Sequence, residues 1–255
     1  MEVVSDTYKK QEEWDIALGL QLVDDLNPSN YFKKIIKDHI DGKRTLIEIE
    51  SDLKNYYSRQ DNIKKDEYEC DLVSTRIVKL LEDDKFELSI KFLKYIHKYL
   101  FKDIYEFAGN FRKYNFSKKE IILKGDSALY GDYHNLEECL EYDFNSELNK
   151  KYNNMSIAEV IDNIVDFNSR IWQAHPFPEG NTRTTAIFIC KYLKKLNYKV
   201  DNSLFKNKSI YYRNSLVRSN YHNDKVKEDK KYLIMFYENI LLNKNNDLNS
   251  KDMII

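Results

Sequence analysis

The residues with the clearest chemical capacity lie within nine positions of one short segment. His175 titrates near neutral pH and can act as a general base, and Glu179 is a hard oxygen ligand suited to a Mg²⁺ that already holds phosphates. Arg183 can grip a phosphate with its planar guanidinium. Gly180 lets an anion approach the backbone, and the free N–H groups of a helix that begins near Asn181 bind phosphate oxygens. Together these residues predict a nucleotidyl- or phosphoryl-transfer site.

Two apolar helices are predicted to hold this segment between them. Upstream, apolar residues recur at helical spacing over 160–172, after a capping-box start made by Ser156 and Glu159. Downstream, the same spacing resumes over 186–193. Two of the chain's three prolines lie between the two patterns. The segment is therefore expected to be a tight loop between two buried helices.

The loop resembles the signature of the Fic family, His-x-Phe-x-(Asp/Glu)-Gly-Asn-Gly-Arg-x-x-Arg. Six positions match, namely His175, Phe177, Glu179, Gly180, Asn181 and Arg183. Thr182 replaces the glycine that follows the asparagine, and Ala186 replaces the final arginine, which in the family helps to hold the outer phosphates. These departures bear on the pose of the triphosphate more than on the type of reaction.

The resemblance implies a protein adenylyltransferase that moves AMP from ATP to a Ser, Thr or Tyr hydroxyl of a target protein. It assigns base catalysis to His175, the Mg²⁺ to Glu179, and phosphate contacts to the run from Gly180 through Asn181 and Thr182 to Arg183. A toxin paired with an antitoxin is one context that it implies. Two alternatives stay open. One is a degenerate member that only binds a nucleotide or a partner, and the other is an enzyme that uses another donor, such as CDP-choline or UTP.

Two further regions are assigned by the same resemblance. Residues 115–130 mix β-branched residues with turn formers and predict a short hairpin, which in the family is a flap that docks the target by strand addition. Its residues expected closest to the nucleotide are Gly125, Asp126, Ser127 and Ala128. Tyr212 and Asn220 match positions that close the adenosine pocket. The alternatives are an ordinary surface hairpin and a packing role for the tyrosine.

Composition bounds the remaining choices. The 255 residues are 42% hydrophobic, and the formal charge of −1 gives no basic field that would indicate a nucleic-acid partner. Six glycines and three prolines favour long helices, so the predicted fold is all-α apart from the hairpin. The three cysteines lie in apolar stretches without metal-binding spacing, and we expect buried thiols in a reducing compartment. No signal-peptide or membrane-spanning pattern is present, which favours a cytoplasmic protein without a membrane partner.

The chain is predicted to divide into an N-terminal three-helix module over 1–60, a catalytic domain over 66–242 and a loose polar tail over 243–255. The module resembles antitoxin-like segments of Fic proteins, whose inhibitory glutamate pairs with the second arginine of the signature. Alignment places Asp24 and Asp25 at the inhibitory Glu-Gly positions. Because Ala186 removes the arginine, both halves of the inhibitory contact are expected to be lost. The alternative is that residues 1–60 only shield apolar surface.

Overall fold

The structure, a computed structural model, describes residues 6–198 and 203–255. Within these ranges the backbone forms α-helices and 3₁₀ turns and no β-strand, which confirms the mostly helical fold. The helices are α1 (Asp6–Gln21), α2 (Asn30–Ile40), α3 (Leu46–Ser58), α4 (Lys65–Glu82), α5 (Ile90–Phe101), α6 (Leu136–Leu148), α7 (Ile157–Ala174), α8 (Asn181–Lys195), α9 (Ser203–Ser219) and α10 (Lys231–Leu242).

Helix α7 begins where the sequence predicts, and both α3 and α7 carry their own N-terminal signal. The backbone N–H of Thr45 donates to Glu48 at 2.7 Å, and the hydroxyl of Thr45 accepts from the Glu48 N–H. Ser156 and Glu159 make the same reciprocal pair at the start of α7. Both are complete capping boxes, so local hydrogen bonding defines these two starts.

The motif loop lies between α7 and α8 at the centre of the molecule. Helix α8 packs against α4, α5 and α7, and α7 also contacts α6, α9 and α10. Nearly every residue of α8 from Asn181 to Leu193 is buried. The loop is therefore held by two helices that are themselves fixed on several sides.

The N-terminal helices share one hydrophobic core with the rest of the described chain. Helix α1 packs against α4 and α9, and its Trp14 and Leu20 are fully buried. Gly19 permits this approach, because a Cβ there would lie 2.2 Å from the carbonyl oxygen of Phe205. Residues 59–64 form a loop between α3 and α4, at the predicted linker. The core nevertheless continues across that loop, and the division into two domains stays a prediction.

The predicted flap over 115–130 is present as a folded loop and not as two paired strands. Its cross-strand pairing is a single antiparallel bridge between Lys119 and Ser127. A 3₁₀ turn over Ile121–Leu123 lies between these residues, and the N–H of Glu120 donates to the carbonyl of Asp126 at 2.8 Å. The expected hairpin is therefore reduced to this bridge.

The C-terminal segment is packed, so the expectation of a loose tail is wrong. Leu248 and Met253 are buried, and a 3₁₀ turn covers Ser250–Met253. The carbonyl of Leu248 accepts a hydrogen bond from Lys208 at 2.9 Å. The backbone N–H of Ile255 donates to the carbonyl of Ile122 in the flap at 3.1 Å. Apolar side chains spaced through a polar segment thus anchor it to the flap and to α9.

The three cysteines are all free thiols, and one of them departs from expectation. Cys70 and Cys190 are buried, and burial raises the pKa of each thiol to about 12. Cys139 lies exposed on α6, so the prediction of three buried thiols is wrong there. None of the helices in the described ranges is long and apolar enough to cross a membrane.

Candidate active site

His175 ends α7 in the left-handed backbone conformation, with φ 47° and ψ 56°. Its backbone N–H donates to the carbonyl of Trp172 at 3.1 Å, and its ring Nδ1 lies 3.3 Å from the same oxygen. A carbonyl oxygen can only accept, so Nδ1 carries the proton of the neutral ring. The lone pair is therefore on Nε2, the nitrogen that can act as a base.

Aromatic side chains enclose the imidazole of His175. The ring of Tyr130 stacks on it with centroids 3.8 Å apart, and Phe116 and Trp172 approach it edge-on. Burial, followed by the nearby positive charge of Lys118, holds the pKa of His175 well below its usual value of 6.5. The residue is thus kept neutral and competent to accept a proton at neutral pH.

Arg112 holds the motif loop in place, and no pattern in the sequence indicates it. Its Nε donates to the carbonyl of His175 at 2.8 Å and its Nη2 to the carbonyl of Ala174 at 3.2 Å. The same guanidinium also donates to the carbonyls of Tyr114 and Gly131 at the base of the flap. The arginine therefore ties the catalytic loop to both ends of the flap.

Gly180 and Asn181 shape the turn that starts α8. Gly180 has φ +77°, and a Cβ there would lie 2.4 Å from the ring of Phe101, so only glycine fits. The side chain of Asn181 accepts from the N–H of Phe177 at 2.9 Å and donates to the carbonyl of the same residue at 2.7 Å. Both polar atoms of this amide are committed to the loop. The phosphate contact predicted for Asn181 is thus left to its backbone N–H.

The N-terminus of α8 has no side-chain cap. The N–H groups of its first turn, at Asn181, Thr182 and Arg183, have no intrahelical acceptor and point toward the loop. The hydroxyl of Thr182 accepts a hydrogen bond from Trp172 Nε1 at 3.0 Å, and the residue as a whole is 8% exposed. The residue that departs from the signature therefore locks α8 to α7 and offers a ligand only its N–H.

Glu179 points its carboxylate to the mouth of the loop, where a cation already faces it. Lys118 Nζ, from the flap, lies 2.8 and 3.0 Å from the two carboxylate oxygens. The backbone carbonyl of Glu179 accepts from His97 Nε2 at 3.0 Å. His97 in turn accepts from the N–H of Gly109 and stacks on Phe177, and burial lowers its pKa to about 3. His97 is thus a core histidine with both ring nitrogens hydrogen-bonded.

Arg183 is buried, and its guanidinium is occupied by groups from α1 and α4. Nη1 donates to Gln21 Oε1 at 3.0 Å, and Nη2 donates to Glu69 Oε1 at 2.8 Å. Nε lies 2.9 Å from Asp24 Oδ2, as an ion pair without hydrogen-bond alignment. An N-terminal acidic contact is therefore present, although it is not the contact with the second arginine that the resemblance implies. Asp24 pairs with the first arginine of the signature, since the second position is the buried Ala186.

A second buried ion pair joins the flap to α9. Arg213 Nη1 and Nη2 bond the two oxygens of Glu120 at 2.7 and 2.9 Å. Glu120 is 3% exposed. Both residues line a cavity of about 440 Å³ beside the turn after α1, together with Asp25 and Lys119. No local pattern indicates this pair, because its members are 93 residues apart.

The four predicted flap residues differ in their placement. Gly125 has φ +91° with open space around it, and Ala128 is buried. Asp126 accepts a hydrogen bond from the hydroxyl of Tyr221 at 2.6 Å, which lowers the pKa of its carboxyl group. Ser127 Oγ accepts from the N–H of Lys118 at 3.1 Å. The flap thus orients Lys118 through its own backbone.

Tyr212 and Asn220, predicted to close an adenosine pocket, are packed inside the helical core. Tyr212 is fully buried, and its hydroxyl donates to Asn168 Oδ1 at 3.0 Å. The amide of Asn220 accepts from the Ser169 hydroxyl and donates to the carbonyl of Leu216. Their polar atoms are satisfied by α7 and α9, which gives both residues a packing role.

The site therefore combines an uncapped helix N-terminus, a neutral buried histidine and one exposed carboxylate. Residues 87–193 match the family model described as the Fic/DOC family. Over this range, which includes α5, the flap and both helices that carry the loop, the chain is similar to the Fic/DOC family.

Solved structures of low sequence identity share the fold. The N-terminal FIC domain of Bep8, a VirB-translocated effector from Bartonella sp. 1-1C, is 20% identical, with a TM-score of 0.57 over 75% of this chain and 93% of that chain. The BepC effector from Bartonella tribocorum, solved with bound AMPPNP, is 20% identical, with a TM-score of 0.55 over 69% and 86%. The N-terminal Fic domain of an effector from Bartonella sp. AR 15-3 is 19% identical, with a TM-score of 0.54 over 80% and 85%.

The donor set tests whether Mg²⁺ suits this loop. Within the described residues, no three His, Cys, Asp or Glu side chains form a metal cage. Glu179 is a single carboxylate whose side chain is 44% exposed, and the ammonium of Lys118 beside it shows that the position stabilises positive charge. Mg²⁺ is commonly held by one or two carboxylates together with phosphates and water. The residues thus fit a Mg²⁺ that arrives with a nucleotide.

Proposed function

We propose that this protein is a protein adenylyltransferase that transfers AMP from ATP to a hydroxyl side chain of a target protein. The observation that carries the proposal is that one loop places the buried His175, whose Nδ1 lies 3.3 Å from the Trp172 carbonyl oxygen, and the uncapped start of α8. A base and an anion site within one loop are the two parts that transfer to a hydroxyl needs. The AMPPNP bound in the Bartonella tribocorum structure supports ATP as the donor.

In the proposed reaction the hydroxyl oxygen of the target attacks the α-phosphorus of ATP. Its proton passes to Nε2 of His175, a P–O bond forms, and the bond from the α-phosphorus to the bridging oxygen breaks. Pyrophosphate leaves with the electron pair of that bond. The first-turn N–H groups of α8 donate to the α-phosphate oxygens, whose negative charge grows in the transition state. The modified residue is a phosphodiester of AMP.

Glu179 would hold the Mg²⁺ that accompanies the triphosphate, and this ion would offset the charge of the departing phosphates. Arg183 lies one turn into α8 and reaches the phosphates once its contacts to Gln21, Glu69 and Asp24 are exchanged. Those contacts support regulation by residues 1–60, because an acidic group from the N-terminal segment occupies a phosphate-binding arginine. This arrangement fits a toxin or modifier held in check by its own N-terminal segment.

The experiment is intact-mass analysis of the purified protein and of lysate proteins after incubation with Mg²⁺ and ATP labelled at the α-phosphate. The wild type is compared with His175→Ala and with a matched control, His222→Ala, which removes an exposed histidine whose side chain is 54% accessible. We expect a mass increase of one AMP that falls by about 10²–10⁴-fold in His175→Ala because base catalysis is lost. The control is expected to label like the wild type.

Full labelling by His175→Ala would exclude this role for the histidine. If ATP labelled at the γ-phosphate transferred its label and the α-labelled form did not, the protein would be a kinase and the proposal would fall.

A second function is favoured by the ion pairs that occupy the site. Both Glu179 and Arg183 are satisfied internally, and Ala186 supplies no charge. A degenerate domain that binds a nucleotide or a partner without transfer would have these features. It predicts Mg²⁺-dependent ATP binding by calorimetry with no adduct from ATP, CDP-choline or UTP in wild type or Asp24→Asn.

A further inference from the structure

Lys118 lies at the mouth of the motif loop, and the proposed function does not use its charge. Its ammonium lies within 3.0 Å of both oxygens of Glu179, and its charge is strong enough at His175 to contribute to the lowered pKa of that ring. The ammonium therefore bonds the predicted metal ligand and is near enough to the predicted base to affect its charge. We infer that Lys118 is a phosphate-binding residue, which pairs with Glu179 in the free protein and with the outer phosphates of a bound metal–nucleotide. This inference rests on the proposed function, since it assumes that the site binds a nucleoside triphosphate.

The other cations at the loop have partners other than the carboxylate that would hold a metal ion. Arg112 donates to four backbone carbonyls that hold the loop and the flap. Arg213 is paired in two-point fashion with the buried Glu120. Arg183 is 1% exposed and has three partners. Lys118 differs, because its partner Glu179 is the very carboxylate that a metal ion would take.

Exchange of this partner is physically easy. The side chains of Lys118 and Glu179 are 31% and 44% exposed, and ion pairs with such access to water contribute little to stability. A divalent ion entering with phosphates would displace the ammonium from the carboxylate by charge. Lysine is a point charge on a flexible four-carbon stem, so it can turn from a carboxylate to a neighbouring phosphate. Its backbone stays in place, since its N–H is bonded to Ser127 Oγ.

The same position explains how the site could hold a triphosphate without a second arginine. Ala186 is 1% exposed and carries no charge, so α8 contributes one arginine in place of two. A lysine from the flap would restore the missing positive charge from the opposite side of the loop. The flap would then sense whether the nucleotide carries outer phosphates.

The test is calorimetric binding of ATP, ADP and AMP, each with Mg²⁺, to the full chain. Lys118→Met is compared with a matched control, Lys119→Met. The control removes the same charge from the next residue, whose side chain is exposed. We expect Lys118→Met to weaken ATP binding by about tenfold or more, the effect of losing one charged hydrogen bond, and to leave AMP binding nearly unchanged. Lys118→Arg should restore most of the ATP affinity. Thermal unfolding of each variant checks that the fold is intact.

Equal ATP affinity for Lys118→Met and Lys119→Met would overturn the inference while leaving the proposed function standing, and so would an equal loss for ATP and AMP. Tighter ATP binding by Lys118→Met would show that the lysine only competes with the metal, and would also overturn it. If the wild-type protein bound none of the three nucleotides, the proposed function itself would fail. The two failures are therefore separate results.

Discussion

The burial of His175 has a direct consequence for the pH dependence of the proposed reaction. Burial and Lys118 keep the pKa of its ring well below 6.5, so the neutral base persists as pH falls through the ordinary histidine range. We predict that kcat/KM for self-labelling, which reports ionisations of the free protein, shows no loss centred near pH 6.5. The measurement is the labelling rate at low ATP from pH 5.5 to 8, with circular dichroism at each pH. A half-loss at pH 6.5 would contradict the buried, neutral histidine.

Gly180 offers a test of how tightly the loop is built. Ala at this position meets both a positive φ and the ring of Phe101 at 2.4 Å, whereas Ala at Gly125 meets a positive φ with open space around it. We predict that Gly125→Ala lowers the free energy of unfolding by about 1–2 kcal/mol from backbone strain. Gly180→Ala should lower it by about 2–5 kcal/mol, because overpacking adds to the strain. Urea unfolding of both variants measures the difference, and equal losses would show that Phe101 moves aside freely.

Residue type and spacing identify some of this site and miss the rest. His175, Glu179 and Arg183 stand out in the sequence because the helix–loop–helix pattern places them together. Lys118 and Arg112 lie in a polar stretch whose pattern indicates only solvent-exposed charges. Their roles depend on contacts across 61 and 63 residues, which no local pattern encodes.

At the scale of elements, the turn after α1 is the part of the N-terminal segment that reaches the site. Gln21 and Asp24 lie at the end of α1 and in the 3₁₀ turn that follows, and both contact Arg183. Asp25 takes the left-handed conformation directly after them and directs its side chain to solvent. Of the two neighbouring aspartates, Asp24 therefore makes the contact with Arg183 and Asp25 does not.

This geometry predicts that Asp24→Asn increases nucleotide labelling. The substitution removes the ion pair between Asp24 and Arg183 Nε. We expect the rate of labelling to rise by about 3- to 10-fold, equivalent to about 0.7–1.4 kcal/mol of lost ion pairing. Asp25→Asn is the matched control, with the same change of charge one position away and no expected effect. Initial rates of AMP incorporation measure both variants. A decrease in Asp24→Asn would assign Asp24 to the reaction itself and exclude a restraining role.

The elements also show where sequence patterns are sufficient. The starts of α3 and α7 follow from capping boxes of four consecutive residues, so local chemistry fixes them. The sequence predicts a hairpin at the flap because β-branched residues are mixed with turn formers there. Its strands do not form beyond the bridge from Lys119 to Ser127, since Glu120 turns inward to Arg213 and the chain winds into a 3₁₀ turn. A tertiary ion pair thus overrides the local preference.

For the whole molecule, the shared core affects how the N-terminal segment can be studied. Trp14 and Leu20 are fully buried, with α1 against α4 and α9, so deletion of residues 1–60 would expose apolar surface of those helices. Loss of activity after such a deletion would not separate unfolding from regulation. Single substitutions at Asp24 keep the core and change only the contact with Arg183. Composition predicts a helical fold. It does not predict that the helices of residues 1–60 pack into the same hydrophobic core as the later helices.

The flap is held at one further point, the hydrogen bond from the N–H of Ile255 to the carbonyl of Ile122. The packed segment from Leu248 to Met253 carries this contact to the surface of α9. Substitutions between Leu248 and Ile255 would therefore disturb the loop that presents Lys118. The effects of such variants should accordingly be interpreted as changes near the proposed site and not as changes at a distant surface.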